Sequence, residues 1–259
     1  MFSPEQRDAL RDRVLMLGEE DDRVVAGAVV GSLATGTGDR FSDLDLTFGI
    51  ADHAQVTQVL DDWSRTMIGR HEAVVLADLE RGPATYRVFL LPDALQLDLS
   101  MTPAASFRPA GPRFRLAFGG VAPGDPEPVA ATLFIPTTAT PEDIFGWGAI
   151  YALHARACIE RGRVWQAEHY VGAVRDHLLS LACLREGLPS TYARGYDDLP
   201  AEALIRSEEL HVGALEPNAL RAALAAGVGL LLREGVAAHL PHAGTVAERL
   251  AELTEHRSA

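Results

Sequence analysis

Gly31-Ser32-Leu33-Ala34-Thr35-Gly36-Thr37-Gly38-Asp39-Arg40-Phe41-Ser42-Asp43-Leu44-Asp45-Leu46 is the stretch on which the fold turns. Before it, residues 24–30 are a β-branched run of strand length that ends at Gly31-Ser32. Residues 33–42 are rich in Gly, Thr and Asp and read as turn, with room for a short helix. Residues 43–50 then alternate as a strand. Side chains of a strand point to opposite faces in turn, so Asp43, Asp45 and Thr47 share one face. Leu44, Leu46 and Phe48 share the other. The same arithmetic on the strand expected over 94–101 places Gln96, Asp98 and Ser100 together, opposite Leu95, Leu97, Leu99 and Met101.

If these two strands are neighbours, three carboxylates converge on one polar face. Such a group repels itself and resists ionisation unless cations neutralise it. Mg²⁺ suits it, because that ion prefers oxygen ligands and keeps positions for water and phosphate. Two ions about 3.5–4 Å apart would clamp the attacking and leaving oxygens of a phosphoryl displacement. Gly31 at a strand end lets the backbone approach a phosphate, and the Ser32 amide and hydroxyl can donate to its oxygens. Each piece alone has a plain structural reading: a turn, a helix cap, a solvated strand end. Their occurrence in order, on strands of matching phase, points to a metal-assisted site.

Outward from this stretch, Ser3-Pro4-Glu5-Gln6 reads as a helix start that runs to Gly18. A helix is expected over 52–68 and strands over 72–79 and 85–91. Residues 102–141 carry eight prolines and read as a connector with one or two strands, such as 114–118. From Thr140 the pattern is helical, with starts at Thr140-Pro141, about Val164, Pro200, Pro217 and Thr245. The predicted fold class is α+β: an amino-terminal domain over 1–135 with a mixed sheet and flanking helices, then an α-helical bundle domain over 136–259.

The 259 residues carry 23 basic and 36 acidic side chains, a net charge of −13. All the basic residues are Arg. That charge repels phosphate backbones and argues against a nucleic-acid partner. It suits a cationic small molecule and plain solubility equally. The polar start Met1-Phe2-Ser3 lacks the apolar core of a signal peptide, and the run over 222–232 is too short to span a bilayer. A cytoplasmic protein with no membrane partner is expected, as monomer or homodimer. Cys158 and Cys183 read as buried reduced thiols, and the scattered His154, His169 and His177 show no zinc spacing.

Gly31-Ser32, ten intervening residues, and Asp43-Leu44-Asp45-Leu46 resemble the signature of the DNA polymerase beta-like nucleotidyltransferase superfamily, and Asp98 falls where its third strand carboxylate would be. Within it the chain is most similar to bacterial aminoglycoside and lincosamide adenylyltransferases. Trp165-Gln166-Ala167-Glu168 and Arg175-Asp176-His177-Leu178 look like segments of their helical, substrate-binding domain. The resemblance implies transfer of AMP from ATP to a hydroxyl of a small molecule, with Mg²⁺ and pyrophosphate release. It implies Asp43, Asp45 and Asp98 as metal ligands and Gly31 and Ser32 as nucleotide contacts. Asp98 is either ligand or general base. Glu168 is an alternative base, or a helix glutamate pairing with Arg161 or Arg163. Many relatives carry a basic residue where Thr35 stands, so Arg40 or Arg175 would meet the triphosphate. The aromatics Trp147, Tyr151, Trp165, Tyr170 and Tyr192 read as helix packing or, secondarily, as the lining of an acceptor pocket. The competing expectations are a regulatory or antitoxin-type protein of the same fold with a protein partner, and a degenerate binding module.

Overall fold

The Ser3 hydroxyl accepts from the Gln6 amide, and the Gln6 side chain accepts from the Ser3 amide. This capping box, with Pro4 in the first turn, starts helix α1 (Pro4–Glu20). It opens a computed structural model that describes residues 1–109, 111–123 and 140–254. The chain divides into two units, Met1–Ile135 and Pro136–Ala259, and the junction lies outside the described residues.

In the first unit α1 leads to strand β1 (Val24–Val30), a four-residue helical turn α2 (Gly31–Ala34) and strand β2 (Leu44–Ile50). Helix α3 (Val56–His71) follows, then β3 (Val74–Arg81), β4 (Ala84–Leu90), β5 (Gln96–Pro103) and β6 (Phe114–Gly119). The six strands form one mixed sheet in the order β3-β4-β5-β2-β1-β6. Only the central pair, β2 and β5, runs parallel; the other neighbours are antiparallel.

The alternation read from the sequence explains the layering. Leu44, Leu46, Phe48, Leu97, Leu99 and Met101 are all essentially without solvent exposure. They pack against Leu10 and Val14 of α1 and Val59, Leu60, Trp63 and Met67 of α3. Phe48 and Trp63 meet edge to face, with centroids 4.8 Å apart. With one face of the two central strands committed to this core, their polar side chains are held on the other.

The loop before β2 is tied down from a distance. Arg7 of α1 is 4% exposed, and its Nη1 donates to the backbone oxygens of Asp39, at 2.6 Å, and Ser42, at 3.2 Å. The loop also closes on itself: Asp39 Oδ1 accepts from the Phe41 amide and the Ser42 hydroxyl. Asp43 is the first residue beyond that knot.

The second unit contains α4 (Pro141–Glu160), α5 (Val164–Arg185), α6 (Ala201–Ser207), α7 (Pro217–Ala237) and α8 (Ala243–Thr254). Thr140 and Asp143 form a second capping box. The turn from α4 to α5 passes through Gly162 at φ +68°, a conformation that costs a side chain bearing a Cβ. Helices α4, α5 and α7 pack on one another, and α8 packs on α7. Gly148 lets α4 approach Leu231 of α7, where an added Cβ would stand 2.8 Å from Leu231 Cδ2. No helix among the described residues is long and apolar enough to cross a membrane. The prolines at 126, 128 and 136, read as connector, lie outside the described residues.

Replacing Arg7 by Met deprives two loop carbonyls of their guanidinium donor. Hydrogen bonds from a charged donor contribute about 1.5–3 kcal/mol, so a loss of about 2 kcal/mol is expected in urea unfolding followed by circular dichroism. Arg7→Lys, which keeps a donor, should recover part of it.

Candidate active site

The parallel pairing of β2 and β5 sets Asp45 directly beside Asp98. In-register residues of adjacent strands lie about 4.8 Å apart and project to the same face. Asp43 immediately precedes β2, one residue outside the strand that the sequence pattern began there. Each of Asp43, Asp45 and Asp98 offers a carboxylate oxygen within 4.8 Å of those of the other two. All three are partly buried.

Confinement leaves an electrostatic signature. The Asp45 carboxyl is pushed well above its ordinary value, first by burial and then by the charges of Asp43 and Asp98. A site that penalises a lone anion so heavily fits a cation. The donor set fits as well: three carboxylates with no nitrogen or sulfur among them suit a hard, oxygen-seeking divalent ion such as Mg²⁺.

Gly31 closes the site from the β1 side. Its φ is +69°, and a Cβ built on it would run into Asp45 Oδ2. Both facts require glycine: the backbone turns left-handed there, and the carboxylate occupies the space a side chain would need. The Gly31 amide donates to the Arg113 backbone oxygen at 3.2 Å. The Ser32 backbone oxygen accepts from the Thr37 amide and from the hydroxyls of Thr35 and Thr37. Ser32 itself is half-buried.

Of the expected cations, Arg40 is exposed and lies over the Phe41 ring, 4.4 Å from its centroid. Arg175 and Glu168 both belong to α5 of the second unit. Glu168 is half-buried, and Arg175 is held to its neighbour Asp176 at 3.0 Å. Two further residues of the first unit went unremarked as site residues. Arg113 is fixed beside Gly31 by its backbone, through antiparallel pairing of β1 with β6 that no local pattern shows. Gln96 donates from Nε2 to Asp98 Oδ1 at 2.8 Å.

The aromatics of the second unit divide. Tyr151 stacks on Tyr170 at 5.9 Å and meets His177 edge-on at 5.0 Å, and Trp147 adjoins Tyr151. Burial raises the Tyr151 hydroxyl and lowers the His177 imidazole from their ordinary values. Trp165 and Tyr192, by contrast, are 75% and 86% exposed, so helix packing does not explain them. Trp165 stands on the outward side of α5 with Gln166 and His169, while Ala167, Val171 and Val174 face inward.

Two outcomes follow. The protonated form of Asp45 is favoured in the folded, ion-free chain. Its stabilising contribution is therefore complete below the unfolded value of about 3.9 and declines as pH rises through the elevated folded one. Differential scanning fluorimetry should show the ion-free chain losing stability from pH 5 to pH 8 relative to Asp45→Asn. Added Mg²⁺ should raise the midpoint more at pH 8. Gly31→Ala, which adds about 1–2 kcal/mol of left-handed strain and displaces the Asp45 carboxylate, should both lower the midpoint and abolish its Mg²⁺ response.

No family model matches the chain, and no curated protein matches it by sequence. Among solved structures, an aminoglycoside 6-adenyltransferase from Bacillus subtilis aligns over 93% of this chain and 89% of its own, at 14% identity and a TM-score of 0.33. A likeness of that size carries no inference about activity, and the functional reading rests on the acids.

Proposed function

We propose that the chain is a Mg²⁺-dependent nucleotidyltransferase that moves AMP from ATP to a hydroxyl of a small molecule, with an aminoglycoside-like antibiotic as the acceptor class, and releases pyrophosphate. The observation that carries this reading is the meeting of Asp43, Asp45 and Asp98 over an apolar sheet, with Gly31 packed against Asp45. Supporting it is the resemblance of Gly31-Ser32 and Asp43-Leu44-Asp45-Leu46 to the superfamily signature.

Asp43, Asp45 and Asp98 would hold Mg²⁺, two ions in this reading. Bound there, the metal supplies charge neutralisation and Lewis acidity at phosphate oxygens. Gly31 leaves its backbone open to a close approach, and the Ser32 hydroxyl is the donor for the departing pyrophosphate. Arg113, anchored beside Gly31, joins Arg40 as a cation for the triphosphate. In the transfer, the acceptor oxygen forms a bond to the α-phosphorus as the bond to the bridging oxygen breaks. Pyrophosphate leaves with that electron pair, and the hydroxyl proton passes to a base. Asp98, held by the Gln96 amide at one oxygen, is a third ligand or the base that takes the hydroxyl proton.

The test is pyrophosphate release from ATP and Mg²⁺ with a panel of aminoglycosides, lincosamides and simple polyols. Asp43→Asn and Asp45→Asn are expected to fold and to lose at least about 100-fold in rate, the scale of removing a preorganised electrostatic partner. Turnover with none of the acceptors, together with no stabilisation by any nucleotide and Mg²⁺, overturns the proposal. The regulatory alternative would instead show nucleotide binding without release.

A further inference from the structure

Gln96 opens β5 on the same face as Asp98 and is only 4% exposed. Its amide is used on one side alone. Nε2 donates to Asp98 Oδ1 at 2.8 Å, whereas Oε1 is buried without a hydrogen-bond partner among the described residues. A buried acceptor left unpaired is costly, and a sequence has no general reason to keep one. What the side chain does provide is a donor: Nε2 holds Asp98 Oδ1 from the same strand face. Gln96 lies two residues before Asp98 on the same strand face and contributes no charge.

We propose that Gln96 is the positioning residue of the acidic cluster. Its N–H tethers Asp98 in the orientation that a divalent cation requires. The assignment rests on the metal-site reading above and adds to it a residue that touches the ion only through Asp98. Groups that orient metal ligands typically contribute 10–100-fold to affinity when removed.

The probe is Mn²⁺ alone, titrated into the full-length chain and followed by the electron paramagnetic resonance signal of the free ion. Gln96→Met keeps the side-chain volume and removes both polar atoms. Its ion-free melting midpoint is expected to stay within a few degrees of wild type while Mn²⁺ affinity falls about 10-fold or more. Gln96→Glu serves as the second variant, and the only one needed if the Met variant does not fold. By charge alone a fourth acid tightens binding, whereas loss of the N–H tether weakens it. Weaker Mn²⁺ binding by the variants supports the proposal. Affinity within about twofold of wild type, or tighter binding by Gln96→Glu, overturns it and leaves the metal site intact. A wild-type chain that takes up no Mn²⁺ overturns the metal reading itself, and this assignment with it.

Discussion

Everything distinctive about the site depends on one backbone arrangement, the parallel, in-register pairing of β2 with β5 at the centre of an otherwise antiparallel sheet. Antiparallel neighbours would also bring two residues opposite each other, but here like stands beside like where the site forms. Leu meets Leu at 44/97 and 46/99, and Asp meets Asp at 45/98. One register therefore builds the most buried part of the core and the most repulsive part of the polar face together. The apolar contacts hold the register, and the register holds the acids in place. The energy that keeps Asp45 and Asp98 together against their charge is drawn from Phe48, Trp63 and their neighbours beneath the sheet.

Much of this was legible in the sequence, because strand periodicity is a strictly local property. The alternation over 43–50 and around Asp98 assigned the faces of both strands, and the buried leucines lie where that alternation puts them. What periodicity does not encode is which strand lies beside which. The convergence of the acids was conditional on adjacency, and β3 and β4 intervene in the chain between the two strands. Arg7 shows the same blindness at longer range. Nothing in the pattern of α1 marks one of its arginines as the brace of the loop before Asp43. Gln96 was placed on the correct face by arithmetic, yet its tie to Asp98 became visible only with side-chain geometry.

In the sequence, Gly31 at a strand end reads as room for a phosphate. The structure adds a tighter demand, a left-handed backbone and a carboxylate occupying the position of the missing Cβ. Trp165 and Tyr192 illustrate the opposite limit: aromatic identity suggests packing, and only position on the helix or turn reveals that these two face water.

The intervening β-hairpin has a consequence for how the protein matures. Asp43 and Asp45 leave the ribosome well before Asp98, and the strand bearing Asp98 joins β2 only across a non-local connection, the slow kind of contact in folding. A partly made chain therefore carries two of the acids without the third, and the cluster is complete only once β5 has closed against β2.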